Sequence, residues 1–244
     1  MRKVLLVLPV LFFCQVYSQD SFFDQLADSA FSLTAQRVVY DPSYFVIDYP
    51  NGDIPEGKGV CTDVIIRAYR KFGVDLQKEV HEDMVSNFEK YPDKWGLLKP
   101  DKNIDHRRVP NLMVFFSRFG KEKIISNNPA DYHPGDIVVW NLGGGITHIG
   151  IVIKQKSADG KRFLIVHNIG NGQEVDDCIF QFEIIGHYSY KKWLVHIGYF
   201  FIHFSGFIRE GKLASPGSPG FLFLLQALKL PGGGAETKKI NFIW

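Results

Sequence analysis

The spacing of apolar residues changes along this chain, and that change constrains the fold more than any other feature. Up to Gly120, apolar residues recur at helical intervals, as Phe22, Leu26 and Ala30 do. From Asp136 onward, short runs rich in Val and Ile are separated by Gly-containing turns, which is typical of antiparallel strands. Helices followed by strands, without alternation, predict an α+β fold in which N-terminal helices pack on an antiparallel β-meander.

The same patterns predict the individual elements. Helices are expected over residues 21–36, 62–72, about 81–90 and 110–119. Strands are expected over residues 136–141, 146–154, 162–168, 179–185 and 186–190. Gly73 and Gly120 are placed to end two of the helices, and Pro110 is placed to begin one.

Composition divides the chain into three segments. Residues 1–18 join Arg2 and Lys3 to an apolar run, which predicts a secretory signal peptide that is too short for a comfortable membrane-spanning helix. Residues 193–244 contain no Asp but seven of the 21 Phe, and an appendage outside the functional unit is favoured over a membrane anchor. We therefore expect one domain over residues 19–192, exported to the periplasm or secreted, with no stable membrane span.

The net charge of the whole chain, +2, differs in sign from the net charge of this predicted domain. Residues 19–192 carry a net charge of −3, whereas residues 1–18 carry +2 and residues 193–244 carry +3. A nucleic-acid-binding domain needs a basic surface, so we do not expect a nucleic-acid partner. An apolar fraction of 45% and only three Cys also exclude a disordered chain and a disulfide-dense scaffold.

Cys61 is the candidate nucleophile because it lies at the predicted start of a helix. The helix dipole and the free backbone N–H groups there favour a thiolate, so we expect the pKa of Cys61 to be lowered. The same N–H groups can bind an oxyanion. The alternative interpretation is a buried structural cysteine or a disulfide between Cys61 and Cys178.

Two histidines on successive predicted strands complete a candidate triad. His148 begins an apolar strand, on the face opposite to Ile149 and Ile151, and its imidazole suits the role of general base. If the strands pair in hairpin register, His167 lies near His148 and can orient its ring. The predicted catalytic residues are therefore Cys61, His148 and His167.

A charged segment before the helix at 110–119 is the candidate substrate-binding region. Arg107 and Arg108 can hold substrate carboxylates with two hydrogen bonds each. We assign substrate binding to Asp63, His106, Arg107 and Arg108. The alternative interpretation of the segment is a capped loop held by salt bridges.

Cys61 is followed by motifs whose order matches a known superfamily. They are Tyr132-x-Pro134-Gly135-Asp136-Ile137-Val138-Val139-Trp140, His148-Ile149-Gly150-Ile151 and Val166-His167. Across residues 55–190 the chain resembles the NlpC-type, papain-like cysteine peptidases that cut cell-wall peptides. The resemblance implies their fold, with a nucleophile at a helix start and a base and an orienting residue on successive strands. Those enzymes usually have Asp-Cys-Ser-Gly where this chain has Val60-Cys61-Thr62-Asp63.

A more specific set of motifs spans residues 38–190. They are Tyr49-Pro50-Asn51-Gly52-Asp53, Gly59-Val60-Cys61-Thr62-Asp63-Val64, Val80-His81-Glu82-Asp83-Met84, Asn103-Ile104-Asp105-His106-Arg107-Arg108-Val109-Pro110-Asn111, Pro134-Gly135-Asp136-Ile137-Val138, His148-Ile149-Gly150-Ile151-Val152, Val166-His167-Asn168-Ile169-Gly170 and Gly186-His187-Tyr188. These segments are similar to the YijF-like family, exported bacterial proteins classed as a domain of unknown function. The resemblance implies that the domain ends near Tyr190.

Three functional hypotheses follow. The favoured one is an exported cysteine amidase or endopeptidase that cleaves amide bonds, with peptidoglycan stem peptides or another peptide as partner and with no metal or other cofactor. The second is a metal-dependent hydrolase in which Cys61, His148 and His167 bind zinc. The third is a non-catalytic cell-wall-binding module of the same fold, with Cys61 and Cys178 in a disulfide.

Overall fold

The computed structural model describes residues 21–192, so the predicted signal peptide and the segment 193–244 lie outside the described residues. The helices of this region are Phe22–Leu33 (α1), Cys61–Arg70 (α2), Leu76–Ser86 (α3) and Val109–Phe119 (α4). The strands are Val39–Tyr40 (β1), Lys58–Gly59 (β2), Lys121–Glu122 (β3), Ile137–Asn141 (β4), Thr147–Lys156 (β5), Phe163–His167 (β6), Glu174–Asp176 (β7) and Glu183–Ser189 (β8). Within residues 21–192, no helix has the length and apolar character needed to cross a membrane.

Local side-chain chemistry explains where the helices begin. Ser21 accepts a hydrogen bond from the backbone N–H of Asp24, whose carboxylate accepts one from the N–H of Ser21, so α1 opens with a capping box. The third helix begins earlier than the predicted position near residue 81. Asp75 is the reason, because its carboxylate accepts hydrogen bonds from the N–H groups of Gln77 and Lys78 and so caps α3.

The strands form one large antiparallel sheet and one small parallel pair. The six-stranded sheet has the order β3-β8-β4-β5-β6-β7, and β1 pairs with β2. In the large sheet β4, β5 and β6 follow one another as a meander, as predicted, and β7, which was not predicted, pairs with β6. The full meander expected from the sequence is wrong, however, because β8 returns to pair with the outer edge of β4. Pairing on both sides leaves β4 without an exposed edge.

The prediction of a strand over 179–185 is also wrong in its position. Residues after β7 leave the sheet and fold over its face, where the indole N–H of Trp140 donates a hydrogen bond to the backbone oxygen of Ile179 at 2.9 Å. A buried indole N–H needs such an acceptor, and the chain around Ile179 supplies it. The next strand therefore begins only at Glu183 and includes the segment 186–189 that was expected as a separate strand.

The large sheet has an apolar layer on each face. On one face, α1 and α2 pack against β5, and Leu26, Ile65, Ile149 and Ile151 belong to a core cluster with Cys61. A smaller cluster covers the opposite face, and it consists of Tyr132, Val138, Trp140, Val152, Ile165, Cys178 and Ile179. Residues alternate between the two faces along each strand. The predicted α+β class with an antiparallel sheet is confirmed.

Candidate active site

Cys61 is the first residue of α2, as predicted, and its side chain is only 7% exposed. Backbone N–H groups, among them those of Ile149 on β5 and Thr62 on α2, lie close enough to the sulfur to favour its thiolate form. The contact with Ile149 places the sulfur at the start of β5, where His148 is the preceding residue. The thiol therefore lies between the first turn of α2 and the start of β5.

Two hydrogen bonds fix the chain on either side of Cys61. The carboxylate of Asp63 accepts a hydrogen bond from the backbone N–H of Val60 at 2.7 Å, which closes the first turn of α2. The side-chain amide of Asn168, directly after β6, donates to the backbone oxygen of Gly59 at 3.2 Å. This contact holds the residues before Cys61 against the end of the strand that carries His167.

The two predicted histidines lie together. Nε2 of His148 and Nδ1 of His167 are 2.7 Å apart, and their rings meet edge to face with centroids 5.0 Å apart. The His148 ring also stacks on Trp140, with an interplanar angle of 29°. Both histidines are buried, with exposures of 4% and 1%. The hairpin register expected from the sequence therefore brings base and orienting residue into direct contact.

The second ring nitrogen of His167 faces two further side chains. Its Nε2 lies 3.7 Å from Oδ2 of Asp176 and 3.9 Å from Sγ of Cys178. His167 is also the strand partner of Glu174 on β7. Sequence reasoning missed Asp176 and Cys178 as neighbours of His167, because the β6–β7 hairpin brings them together across nine and eleven positions of sequence.

Burial controls the ionisation of the candidate triad. It raises the pKa of the Cys61 thiol to about 12 and outweighs the hydrogen bonds from Ile149 and Thr62, which favour the thiolate. The expectation of a lowered Cys61 pKa is therefore wrong. Burial, with His167 as a second cause, lowers the pKa of His148 to about 3. It also lowers the pKa of His167, against the opposing influence of Asp176 and Glu174.

The resting site accordingly pairs a neutral thiol with neutral imidazoles rather than a thiolate with an imidazolium. Among residues 21–192 neither the sulfur of Cys61 nor any other atom is found hydrogen-bonded to Nδ1 of His148. In free enzymes such contacts are often long and tighten when a substrate binds.

Three of the four predicted substrate-binding residues, Asp63, Arg107 and Arg108, form ion pairs within the protein. Arg107 donates two hydrogen bonds to Asp63, at 3.0 and 3.1 Å, in an ion pair that is almost wholly buried. His106 is buried, and burial together with the nearby Arg107 lowers its pKa to about 3. Arg108 pairs with Asp105 and lies over the ring of Trp95, 4.1 Å from its centroid. Their role in binding substrate stays a prediction.

Tyr40 is a candidate that sequence reasoning missed. Burial raises the pKa of its phenol, and negative charge on Cys61 raises it further, as expected for a hydroxyl close to the thiol. Arg107 acts in the opposite direction. Tyr40 remains 39% exposed, so its hydroxyl can face a ligand bound beside Cys61. Its place on a two-residue strand within a Tyr- and Pro-rich stretch offered no periodic signal.

One cleft among residues 21–192 lies away from the triad. It has a volume of about 740 Å³ and is lined by residues that include Arg37, Asp53, Arg67 and Arg70. Arg67 and Arg70 are both paired with Asp53 there. None of the residues that line this cleft is Cys61, His148 or His167.

Two alternatives from the sequence can be tested by geometry. Cys61 and Cys178 are both free and belong to the clusters on opposite faces of the sheet, so the proposed disulfide is wrong. Cys61, His148 and His167 also do not form a metal-type cluster. Among the described residues, the group whose ligand atoms converge within 4.8 Å is His167, Asp176 and Cys178.

Comparison with known proteins identifies the family. A family model described as "Domain of unknown function (DUF1287)" matches residues 27–190. The uncharacterized protein YijF of Escherichia coli strain K12 is 51% identical over 165 residues, which cover 68% of this chain and 80% of that protein. The predicted resemblance to the YijF-like family is confirmed.

The fold comparison is much weaker. Two crystal structures of an N-acetylmuramoyl-L-alanine amidase from Bacteroides uniformis align with a TM-score of 0.41, at 13% and 16% identity. The alignments cover 70% of this chain and 99% of those chains. A TM-score of this size does not bear on the chain's fold or activity. The family match and the 51% identical relative are sufficient by themselves, and the chain belongs to the DUF1287 family.

Proposed function

We propose that this protein is an exported cysteine hydrolase that cleaves amide bonds with Cys61, His148 and His167. The observation that carries the proposal is the convergence at the start of β5. There the backbone N–H of Ile149 lies close enough to the thiol at the first residue of α2 to favour the thiolate, and Nε2 of the adjacent His148 lies 2.7 Å from Nδ1 of His167. Nucleophile, base and orienting residue are thus supplied in the order that acyl transfer requires.

The neutral resting state suits a mechanism in which attack and proton transfer occur together. Nδ1 of His148 accepts the thiol proton as the sulfur of Cys61 attacks the amide carbonyl. The C–N bond then breaks and His148 returns the proton to the leaving amine. Water, deprotonated by His148, finally hydrolyses the thioester to a carboxylic acid and the free thiol.

This mechanism specifies the tautomers of both rings. If Nδ1 of His148 accepts, its Nε2 carries the proton and donates to Nδ1 of His167 across the 2.7 Å contact. His167 then carries its own proton on Nε2, which faces Asp176 and Cys178. The carboxylate of Asp176 favours that tautomer, so it supports His148 as a base through His167.

Peptidoglycan stem peptides are the substrate class we propose. The support is the order of the Cys61, Pro134-Gly135-Asp136, His148 and His167 motifs, which is similar to that of the NlpC-type, papain-like enzymes. The same similarity supports an NlpC-type arrangement of α2 on the sheet. The proposed location outside the cytoplasm depends on the leader-like residues 1–18, and the proposed domain limits are 19–192, with residues 193–244 outside the catalytic unit.

The test is cleavage of purified muropeptides, followed by mass spectrometry of the products. Cys61→Ala should abolish cleavage, and His148→Gln should reduce it by about 100-fold or more, because general-base catalysis contributes that much. His81→Gln is a matched control, since His81 lies on α3 against Tyr49. Cleavage that persists in Cys61→Ala would refute the cysteine mechanism.

A second candidate function is supported by the burial of the site. Cys61, His148 and His167 are at most 7% exposed, and a closed site of this kind also fits a non-catalytic cell-wall-binding module. Pull-down with insoluble peptidoglycan distinguishes the two functions. A binding module retains the chain on peptidoglycan without releasing any fragment, and Cys61→Ala then changes nothing.

A further inference from the structure

We infer that His167, Asp176 and Cys178 form a binding site for one thiophilic divalent cation, with Zn²⁺ as the best match. The site lies at the β6–β7 hairpin, and its cysteine belongs to the apolar cluster on the face opposite to that of Cys61. It shares His167 with the proposed triad but none of the other catalytic residues.

The three side chains already have nearly the spacing that the ion requires. Nε2 of His167 lies 3.7 Å from Oδ2 of Asp176 and 3.9 Å from Sγ of Cys178, and all three ligand atoms are within 4.8 Å of one another. Zn–N and Zn–O bonds of about 2.0 Å and Zn–S bonds of about 2.3 Å imply tetrahedral ligand separations of about 3.3–3.6 Å. Shifts of a few tenths of an ångström in side-chain position bring the first two distances into that range.

Two ligands are held by the fold and the third is accessible. His167 and Cys178 are 1% and 2% exposed, whereas the side chain of Asp176 is 43% exposed. The accessible carboxylate gives the ion a path from solvent and can adjust as the ion enters. Three protein ligands leave one tetrahedral position for water, and nitrogen, oxygen and sulfur are all ligands that Zn²⁺ accepts.

The charge around the site also favours a cation. Residues 174–177 contain Glu174, Asp176 and Asp177, and only Asp177 is neutralised, by its two hydrogen bonds with Arg162. Glu174 is the strand partner of His167 and lies within electrostatic range of Cys178. Binding releases the thiol proton of Cys178 to solvent, so one positive charge leaves as two arrive.

Metal binding has a consequence that rests on the proposed function. A metal on Nε2 of His167 requires the proton of that ring to be on Nδ1, which then donates to Nε2 of His148. His148 must in turn carry its proton on Nδ1, the nitrogen that would accept the thiol proton of Cys61. An occupied site therefore blocks the base, and we expect Zn²⁺ to inhibit amide hydrolysis.

Cobalt titration tests the site without reference to activity. The purified chain carries Cys14→Ser, so that Cys61 and Cys178 are its remaining thiols. We expect one equivalent of Co²⁺ to produce a thiolate-to-cobalt charge-transfer band, which Cys61→Ser retains and Cys178→Ser loses. Because Asp176 is exposed, Asp176→Asn keeps the fold and should weaken binding by about tenfold or more. A missing band, or one lost in Cys61→Ser and kept in Cys178→Ser, overturns the site.

Inhibition tests the coupling to His148 separately. If muropeptides are cleaved, Zn²⁺ should inhibit the parent chain at the concentration that fills the site, and Cys178→Ser, which lacks one ligand but none of the proposed catalytic groups, should need about tenfold more Zn²⁺. If the chain binds Co²⁺ through Cys178 but still cleaves muropeptides with Zn²⁺ bound, metal binding does not block His148 and the coupling is refuted. If no variant cleaves anything, the proposed function fails while the cobalt titration still decides the metal site.

Discussion

The ionisation of Cys61 has a direct chemical consequence at the scale of single residues. Burial raises the pKa of its thiol to about 12, so at neutral pH the sulfur is protonated and is a poor nucleophile towards alkylating agents. The pKa of Cys178 is raised to about 12 as well, again because of burial. A chain with either thiol alone should therefore react slowly with iodoacetamide.

We predict that the alkylation rate of Cys61, measured in Cys14→Ser/Cys178→Ser, rises about tenfold per pH unit from pH 7 to 10 without a plateau. A lowered pKa would instead give a fast rate that levels off near neutral pH. The same chain in urea is the control, since the pKa of its exposed thiol should lie near the ordinary cysteine value of about 8.5. A plateau below pH 8 in the folded chain would show that the resting site holds a thiolate.

Tyr40 offers a second prediction at the residue scale. Its phenol is close enough to Cys61 for their charges to interact, and it remains partly exposed. We predict that Tyr40→Phe lowers kcat for muropeptide cleavage by about tenfold or more, as loss of an oxyanion donor does. Tyr44→Phe is the matched control, because the Tyr44 hydroxyl is hydrogen-bonded to Asp101. Equal effects of the two substitutions on kcat would show that the Tyr40 hydroxyl has no specific role in cleavage.

At the scale of elements, the contact between β5 and β6 depends on Gly150. A side-chain Cβ at this position would lie 2.6 Å from Cγ2 of Ile165 and 3.3 Å from Cβ of His167. Both neighbours are on β6, the strand that carries the orienting histidine. Because Gly150 has no side chain, β5 and β6 lie close enough together for the hydrogen bond between His148 and His167 to form.

We predict that Gly150→Ala separates β5 from β6 and breaks this hydrogen bond. The overpacking should lower the free energy of unfolding by about 1–3 kcal/mol in urea titrations. Imidazole ¹⁵N NMR should show the loss of the coupled tautomers of His148 and His167. Gly160→Asn is the control, because Gly160 sits in an open turn with φ of +70°, a conformation that Asn tolerates. An unchanged NMR spectrum in Gly150→Ala would refute the argument.

Sequence reasoning succeeded where local chemistry decides the structure. The start of α2 at Cys61, the end of α4 before Gly120 and the register of β5 with β6 all follow from nearby residues. It failed for β8, because the return of that strand to β4 depends on contacts between residues that are distant in sequence. The same limit hid the contact of His167 with Asp176 and Cys178.

The ionisation of the site was also beyond prediction from the sequence, for a different reason. A helix start favours a thiolate, and that local effect is visible in the chain around Cys61. Whether desolvation outweighs it depends on how α1, α2 and β5 close over the sulfur, which is a property of the packed molecule. Likewise Arg107 was expected to face substrate, but the fold buries it against Asp63.

At the scale of the whole molecule, the Pro134-Gly135-Asp136 motif joins separate parts of the fold. Asp136 is buried and receives hydrogen bonds from Lys123 at 2.6 and 2.7 Å, while His187 on β8 lies 2.9 Å from it. Gly135 has φ of +83°, and a Cβ there would lie 2.4 Å from the backbone oxygen of Phe23 on α1. One turn thus contacts the first helix, the loop after β3 and the last strand.

We predict that Asp136→Asn lowers the free energy of unfolding by about 3 kcal/mol, because it leaves Lys123 without its buried countercharge. Urea unfolding at pH 7 followed by circular dichroism measures the loss. Asp93→Asn makes the same chemical change at an exposed position and should alter stability by less than about 0.5 kcal/mol. Cobalt binding by Asp136→Asn under native conditions should persist, since the side-chain hydrogen bonds of Asp136 go to Lys123, His133 and His187 and not to the three metal ligands. Equal stability of the two variants would mean that the turn does not hold the fold together.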